Sequence, residues 1–413
     1  YIACTANPPH NHRMNSGDKL YVWQQNAWPK WSYAHERLAP LLAQVHHAQG
    51  LLLGRMHDIG LEQRDQATLR ALTEDVIKTS EIEGEVLNPE SVRSSIARRL
   101  GVDIGALAPA DRHVDGVVDM VLDATQQHSQ QLTVQRLFGW HAALFPTGYS
   151  GLSPIRVGAW RNDAQGPMQV VSGPLHRPHV HYQAPPANTL DAEMALFLDW
   201  FNNTSQDDPL VKAGLAHLWF VTVHPMDDGN GRMGRAVGDL ALARAESERY
   251  MGGTAQRYYS LSAQIQRERK DYYDQLERTQ KGTLDVTEWL EWFLGCLLRA
   301  VQGAQGTLSA VLGKANFWRQ WADTPMNERQ IKLLNKLLDE FDGKLTTSKW
   351  ATIAKCSQDT ALRDINELLE RGVLMRSEAS GRSTSYEIRS TTADAFGSIQ
   401  QDLNEAIAHA KNQ

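Results

Sequence analysis

The chain has 413 residues, of which 42% are hydrophobic and 22% charged, and its formal net charge is −6 at pH 7. These values are ordinary for a globular protein of more than one domain, and they argue against a nucleic-acid or membrane surface covering the whole molecule. No apolar run reaches the roughly 20 residues of a membrane span, and no signal-peptide pattern stands near the start. The cysteines Cys4, Cys296 and Cys356 lack the spacing of a metal site or a disulfide framework. We therefore expect a cytoplasmic protein with no membrane partner.

The N-terminal part of the chain is predicted to be a short leader followed by a helical cap. Residues 1–13 are polar and without a pattern, so they are interpreted as a leader or an expression remnant and left out of the fold prediction. The chain could equally start at Met14. Residues 14–100 are predicted to form the cap, whose first long helix follows Ser32. One side of that helix carries Leu38, Leu41, Leu42, Val45 and Leu52.

A second helix of the cap is predicted to end near residue 84. The apolar residues before this point, at helical spacing, are Leu69, Leu72, Val76 and Ile77. Gly84 is typical of a helix end, and Asn88-Pro89 predicts the start of the next helix. Thr79 and Glu83 are four residues apart, so they share one face of the helix.

Residues 101–300 are predicted to form a mainly α core with one β-hairpin. Helical patterns cover residues 114–124, 134–144, 192–202 and 211–222. The exception is a pair of β-like runs at 168–171 and 179–182, separated by a Ser-Gly-Pro turn region. The hairpin residues of interest are Val170, Val171, His179 and Val180.

The most informative segment of the core is residues 224–235, which read HPMDDGNGRMGR. Gly229 and Gly231 flank Asn230, and a turn of this kind that runs into a helix presents several backbone N–H groups to one point. Together with the helix N-terminus this predicts an anion site for a phosphate. Arg232 and Arg235 share a helix face and can each form a fork of hydrogen bonds to phosphate oxygens.

Two further residues give this segment its chemistry. His224 can be neutral near pH 7, so it can accept a proton from an attacking hydroxyl. The carboxylate of Asp228 is a ligand of the kind that Mg²⁺ prefers, and Mg²⁺ bridges nucleotide phosphates. Positioning and charge neutralisation are what phosphoryl-type transfer mainly needs. The segment therefore predicts a nucleotide site with a proton acceptor at its mouth.

The segment resembles the signature of the Fic family, H-x-F-x-[D/E]-G-N-G-R-x-x-R, with Met226 in place of the usual Phe. The resemblance implies a helical Fic core and a protein adenylyltransferase, which moves AMP from ATP to a Tyr, Thr or Ser hydroxyl of a target protein, itself included. It implies that His224 is the catalytic base and that Asp228 holds Mg²⁺. The nucleotide-binding residues it implies are Gly229, Asn230, Gly231, Arg232, Gly234 and Arg235. Met226 should be buried, since Met fills apolar space adaptably.

The same resemblance extends to residues upstream of the signature. Residues 79–84 fit the family's inhibitory pattern [S/T]-x-x-x-E-[G/N], with Thr79, Glu83 and Gly84 at its fixed positions. What this implies is that Glu83 pairs with Arg235 and occupies the space that the γ-phosphate of ATP requires. The enzyme would then be autoinhibited by its own N-terminal part. Residues 21–31, which are rich in Trp, are similar to the N-terminal cap of many bacterial Fic proteins.

Two other segments gain a meaning from the resemblance. The hairpin looks like the family's flap, which clamps the backbone of a target by strand addition. Tyr259 and Tyr272 look like part of the nucleotide-side wall, where an aromatic ring could stack on adenine. Packing in the core is the alternative for both tyrosines.

The C-terminal part of the chain is predicted to be a different module. Residues 301–324 are predicted to be a helical linker, residues 325–390 a winged helix-turn-helix, and residues 391–413 a C-terminal helix. The third helix of the module, residues 360–371, is predicted to bury Leu362, Ile365, Leu368 and Leu369. The residues that would contact DNA are Lys355, Gln358, Thr360 and Arg363. Contact with DNA and a protein-interaction role, such as a homodimer, both stay open.

Three functions are compatible with these patterns. The first is adenylyl transfer, and the second is the reverse reaction, in which Glu83 orients water to remove AMP. Both use the same residues, so the sequence does not separate them. In the third, the chain is a winged-helix regulator that binds DNA and whose Fic site senses a nucleotide. The presence of both His224 and Asp228 argues against the third, since a sensor has little need of a base.

Overall fold

The computed structural model describes residues 2–6, 21–57, 59–105, 108–109, 112–173, 178–203, 206–249, 257–338, 345–377 and 384–389. Most of these residues are helical, which confirms the predicted fold class. The chain divides into two units, residues 1–305 and 306–413. Of the predicted segments, the C-terminal helix at residues 391–413 lies outside the described residues.

The cap at the start of the first unit consists of a short 3-10 helix and three α-helices. These are the 3-10 helix Val22–Gln24, α1 (His35–His57), α2 (Leu61–Ile82) and α3 (Pro89–Leu100). Helix α2 ends as predicted, with Glu83 as its C-cap and Gly84 in the left-handed conformation at φ 87°. Asn88 caps α3, because its side chain accepts a hydrogen bond from the backbone N–H of Ser91.

Among the described residues, eight further α-helices lie between the cap and Gln320. They are α4 (Arg112–Gln126), α5 (Val134–Leu144), α6 (Leu190–Asn202), α7 (Pro209–Val223), α8 (Asn230–Arg249), α9 (Leu261–Arg267), α10 (Arg269–Gln280) and α11 (Thr287–Gln320). The four predicted core helices agree with α4 to α7 within two residues at each end. Helix α7 is buried throughout, because its apolar residues point to all sides and α8 packs along it.

Helix α11 crosses the boundary that the sequence placed at residue 300. The predicted change from core to linker falls inside this helix, which continues without a break to Gln320. The apolar pattern is continuous there, so nothing in the sequence marks an end. Neither α11 nor any other helix in the described part of the chain is long and apolar enough to cross a membrane.

The β-structure of the first unit is small. The described strands are β1 (Ile2–Ala6), β2 (Tyr149–Ser150), β3 (Ser153–Pro154), β4 (Met168–Ser172) and β5 (His179–Gln183). Strands β4 and β5 pair in the antiparallel sense, which confirms the predicted hairpin. Strand β1 pairs with the other edge of β4, in register from Ile2↔Ser172 to Ala6↔Met168. Residues 2–6, which the fold prediction left out, thus form a strand, and the interpretation of residues 1–13 as a leader or an expression remnant stays a prediction.

The second unit has the predicted order of three helices and a hairpin. Its elements are α12 (Glu328–Leu338), α13 (Thr347–Ala354), α14 (Gln358–Glu370), β6 (Leu374–Arg376) and β7 (Tyr386–Ile388). Trp350, Ile365 and Leu368 are fully buried in its core. The prediction that Leu362 is buried is wrong, since its side chain is 43% exposed. The buried stripe of α14 runs through Ala361 and Ile365, and Leu362 lies outside that stripe.

Candidate active site

His224 lies where α7 ends, in an unusual backbone conformation. Its φ of 53° and ψ of 56° are left-handed, which costs a residue with a side chain roughly 1–2 kcal/mol. Arg161 stabilises this conformation: its Nε donates to the carbonyl of His224 at 2.7 Å and its backbone N–H to the carbonyl of Pro225 at 2.9 Å. The side chain of Arg161 is fully buried. The position of His224 is therefore fixed by a residue 63 positions earlier in the chain.

The environment of His224 keeps its ring neutral. Burial lowers the pKa of His224 to about 4, and this outweighs a hydrogen bond with the carbonyl of Val221 that acts in the opposite direction. The contact joins Nδ1 to that carbonyl at 3.2 Å. A proton on Nδ1 makes Nε2 the basic nitrogen of the ring. His224 is therefore in the form that accepts a proton at neutral pH.

The loop after His224 is closed by Asn230. Its side-chain oxygen accepts from the backbone N–H of Met226 and its amide donates to the carbonyl of Met226, both at 2.9 Å. Met226 is fully buried, which confirms that expectation. Gly229 has φ 78°, and a Cβ there would meet Cε2 of Phe145 at 2.9 Å. The loop thus needs glycine at this position to bring the N-terminus of α8 beside His224.

Asp228 lies at the rim of the loop and is partly exposed. One of its oxygens accepts from the backbone N–H of Gly229 at 2.6 Å, and the other accepts from the hydroxyl of Ser150. These bonds hold the carboxylate beside the start of α8. Oxygen ligands of this kind suit Mg²⁺, which takes one or two carboxylates together with phosphate oxygens and water. The residues present therefore fit a magnesium ion bound with a nucleotide.

Arg235 is held by the last turn of α2. Its Nε donates to the hydroxyl of Thr79 at 2.8 Å, and its Nη2 donates to the carbonyl of Thr79 at 2.9 Å and to Oε1 of Glu83 at 2.7 Å. The guanidinium side chain is 2% exposed. The structure thus brings Arg235 into contact with Thr79 and Glu83, which lie about 150 positions earlier in the sequence. Gly84 lies directly after this contact and ends the helix.

Arg232 has a similar partner that the sequence reasoning missed. Its Nη1 donates to Oε2 of Glu85 at 2.6 Å, and its guanidinium lies 5.1 Å from the ring centre of Phe145. Burial acts to raise the pKa of Glu85, but a hydrogen bond from His113 and the charge of Arg232 together lower it. Glu85 is thus ionised at neutral pH. Its place after the end of α2 carries no helical spacing, so no pattern pointed to it.

Each of the two arginines keeps one hydrogen-bond donor that no described residue accepts. These donors are Nε of Arg232 and Nη1 of Arg235, and both atoms are buried. Buried N–H groups are normally paired, so unpaired ones call for an explanation. Two unpaired guanidinium donors beside a helix N-terminus fit an anionic ligand such as a triphosphate.

Gly231 and Gly234, the two glycines of α8 that were predicted to bind a nucleotide, have different surroundings. A Cβ at Gly231 would lie 2.1 Å from Oε1 of Glu83, so glycine is what lets Glu83 approach the loop. A Cβ at Gly234 would lie 2.4 Å from Cγ1 of Val221, so that glycine lets α8 pack closely on α7. Packing accounts for Gly234 without a ligand, and contact with a nucleotide there stays a prediction.

The hairpin of β4 and β5, here called the flap, is anchored to α7. The hydroxyl of Tyr182 on β5 donates to the carbonyl of Thr222, two residues before His224, at 2.6 Å. Val171 is buried, Val170 and Val180 are partly exposed, and His179 is exposed. The flap residues therefore lie on a hairpin that is tied to the end of α7.

Tyr259 and Tyr272 are both buried in the core. The hydroxyl of Tyr259 donates to Glu246, and the hydroxyl of Tyr272 lies 2.9 Å from Nε2 of His217. The two residues are 4% and 1% exposed. This placement favours core packing, and stacking on adenine stays a prediction that requires a movement of the protein.

The four residues predicted to contact DNA lie around the start of α14. Lys355, Gln358 and Arg363 are exposed, and Thr360 hydrogen-bonds to Ser357 at the helix cap. Asp364, on the same helix, is 2% exposed and accepts a hydrogen bond from Arg329. Contact with DNA stays a prediction.

Two family models match separate parts of the chain. Residues 131–242, which include α5, the flap and the loop after His224, match the Fic/DOC family. Residues 21–102, which form the cap, match a domain of unknown function, DUF4172. The chain therefore carries a domain of the Fic/DOC family, preceded by a DUF4172 domain.

Curated relatives are similar over a large part of the chain. One is named protein adenylyltransferase Fic, from Nematostella vectensis, and is 22% identical over 67% of this chain and 56% of the relative. A protein of the same name from Drosophila willistoni is 26% identical over 59% of this chain and 44% of the relative. This chain thus spans about half the length of these relatives. A crystal structure of a Fic family protein from Desulfovibrio desulfuricans G20 superposes with a TM-score of 0.48, at 21% identity, and covers 87% of this chain and 98% of that one.

Proposed function

We propose that the chain is a protein adenylyltransferase, which moves AMP from ATP to a Tyr, Thr or Ser hydroxyl of a target protein. The observation that carries the proposal is a neutral His224 beside a loop whose two arginines keep unpaired donors. The name of the curated relatives, protein adenylyltransferase Fic, agrees with it.

The reaction follows from these groups. The target hydroxyl oxygen bonds to the α-phosphorus of ATP, and the bond from that phosphorus to the pyrophosphate oxygen breaks. Nε2 of His224 accepts the hydroxyl proton. The backbone of residues 229–231 and the guanidinium groups of Arg232 and Arg235 bind the phosphate oxygens. Asp228 would hold Mg²⁺, which supplies positive charge to the phosphates.

We also propose that this activity is inhibited by the segment after α2. Glu83 and Glu85 bind Arg235 and Arg232, so carboxylates take the places that phosphate oxygens require. Oε1 of Glu83 also lies in the space beside Gly231. The hydrogen bonds of Arg235 to Thr79 hold the end of α2, and with it Glu83, beside the loop.

For the target, we propose docking by strand addition to the flap. Strand β1 pairs with the outer edge of β4 over five residues, so this edge accepts an antiparallel strand. A target strand at the same edge would place its backbone beside Val170 and Val171. The hydroxyl would then reach His224 from the side of the flap, which Tyr182 ties to α7.

The test compares the wild-type protein with Glu83→Gly and His224→Ala in lysate with ATP labelled at the α-phosphate. We expect label on protein in the Glu83→Gly sample alone. Glu81→Gly is the matched control, because Glu81 pairs with Lys78 and not with an arginine of the site. Label that survives in a Glu83→Gly, His224→Ala double variant would overturn the role of His224. Equal labelling by wild type and Glu83→Gly would overturn the inhibition.

The reverse reaction is the second candidate. The carboxylate of Glu83 is 28% exposed and lies beside the phosphate loop, so it could orient a water molecule toward an AMP-modified side chain. Release of AMP from a modified target by the wild type, with loss of release in Glu83→Gly, would establish it. A gel shift by the full chain, with no labelling in any variant, would instead favour a DNA-binding regulator.

A further inference from the structure

Three side chains of the types that can bind a metal lie together between the flap and α10. His179 and His181 are two positions apart on β5, whose register with β4 shifts between Val170 and Val171. Glu277 projects from α10 toward them. One ligand atom from each of the three residues lies within 4.8 Å of the others. The described part of the chain contains no second group of this kind.

The contacts of His181 resemble those of a prepared metal ligand. Its Nδ1 lies 2.6 Å from Oε2 of Glu277, and its Nε2 lies 2.6 Å from the hydroxyl of Ser172. A serine hydroxyl donates or accepts, so Ser172 can accept a hydrogen bond from Nε2–H in the tautomer that leaves Nδ1 unprotonated for a metal. A hydrogen bond to the second ring nitrogen is what usually orients a metal-binding histidine. The ring of His179 lies edge-on, with its centre 4.6 Å from that of His181.

We infer that His179, His181 and Glu277 bind a divalent transition ion of the zinc class and thereby join the flap to α10. Two imidazoles and one carboxylate form a ligand set that occurs in zinc sites, at bond lengths of about 2.0–2.2 Å. The nitrogen ligands exclude Mg²⁺ and Ca²⁺, which prefer oxygen. His179 is exposed, so the fourth position opens to water or to a side chain of a bound protein.

The charges beside this cluster have opposite effects on the binding of a cation. The carboxylate of Glu277 brings a negative charge to the cluster, which favours the binding of a cation. Lys281, however, lies 2.6 Å from Oε1 of Glu277 and brings a positive charge next to the ion. The affinity for the ion is therefore weakened by a residue that is not a ligand.

An ion at this cluster would connect the flap to the segment before Glu83. Helix α10 also carries Arg269 and Tyr273, which donate to the carbonyl of Ile82 at 2.9 and 3.3 Å. Strand β5 carries Tyr182, which holds the end of α7. The site does not depend on the proposed transfer of AMP, since its ligands lie outside the phosphate loop. When the ion is bound, β5 is fixed to α10 and the flap moves less.

The test is a titration of the full-length chain, freed of metal by a chelator, with Co²⁺. Cobalt in a site with imidazole and carboxylate ligands gives visible absorption, and Zn²⁺ should displace it. We expect one ion per chain. His181→Ala and Glu277→Gln should each weaken binding at least about tenfold. His35→Ala, which removes an exposed histidine at the start of α1, is the control and should not change binding.

A second variant tests the same inference in the other direction. Lys281→Met removes the neighbouring charge without touching a ligand, so it should tighten Co²⁺ binding. Its far-ultraviolet circular dichroism should match that of the wild type. The inference is overturned if Co²⁺ gives no absorption with the wild type, or if His181→Ala binds Co²⁺ as His35→Ala does. Weaker binding by Lys281→Met would overturn it as well. Because these readouts are spectroscopic, they stand even if no transfer activity is found.

Discussion

The contact between Glu85 and Arg232 allows a test of whether Glu85 takes part in the proposed inhibition together with Glu83. Replacing Glu85 with Gln keeps the size of the side chain and removes its charge. Arg232 would then be available to phosphate oxygens, and a negative charge near the triphosphate would be gone. We therefore expect Glu85→Gln to bind ATP more tightly than the wild type.

The magnitude follows from the exposure of the two partners. The side chain of Arg232 is 2% exposed, but that of Glu85 is 37% exposed, so water screens the pair. An ion pair of this kind contributes about 0.5–1 kcal/mol. Since 1.4 kcal/mol is a factor of ten, removing the competing pair should lower the dissociation constant for ATP about two- to fivefold.

The assay is isothermal titration of the full chain with a non-hydrolysable ATP analogue and Mg²⁺. Glu81→Gln is the matched control, since it removes the same charge four residues earlier, from a side chain that pairs with Lys78. The two variants have equal net charge, so a general electrostatic effect would move both. Equal affinities of Glu85→Gln and Glu81→Gln would refute the role of Glu85, and so would weaker binding by Glu85→Gln.

Two other predictions concern His224 and Arg161. The pKa of His224 is lowered to about 4, so the ring can accept a proton at any pH above that value. In Glu83→Gly, protonation of His224 should therefore not lower kcat/KM for ATP as the pH falls to about 5. A fall centred near the ordinary histidine pKa would contradict this reasoning. Arg161→Met should lower the free energy of unfolding by about 3 kcal/mol in urea, since it removes a buried charge that Asp163 and two carbonyls bind. Arg156→Met, at an exposed position, is the control, and equal midpoints of the two variants would refute the prediction.

Local patterns predicted the helices and the candidate site. The end of α2 at Gly84 and the cap of α3 at Asn88 followed from residues that act on their immediate neighbours. The pairing of Arg235 with Glu83 came from a short motif whose two halves lie far apart in sequence. Such predictions succeed where a helix end is set by neighbouring residues, or where a motif of known spacing indicates a contact.

The rest depended on contacts that no spacing encodes. Arg161 holds the carbonyl of His224 through its position in the fold, and Glu85 reaches Arg232 from a turn without periodicity. The helix that contains Leu362 was predicted correctly, but the side of that helix that is buried was not. A shift by one residue rotates a helical side chain by about 100°, and only the packing of α14 against its neighbours fixes that rotation.

The pairing of β1 with β4 sets a condition for any protein that docks on the flap. Strand β1 is part of the same molecule, so its effective concentration at the edge of β4 is on the order of millimolar. A target strand of equal intrinsic affinity, present at micromolar concentration, would hold the edge in roughly one molecule in a thousand. A protein that binds there therefore has to bring contacts beyond the strand itself. Under the proposed docking, selectivity for targets begins as a competition with strand β1.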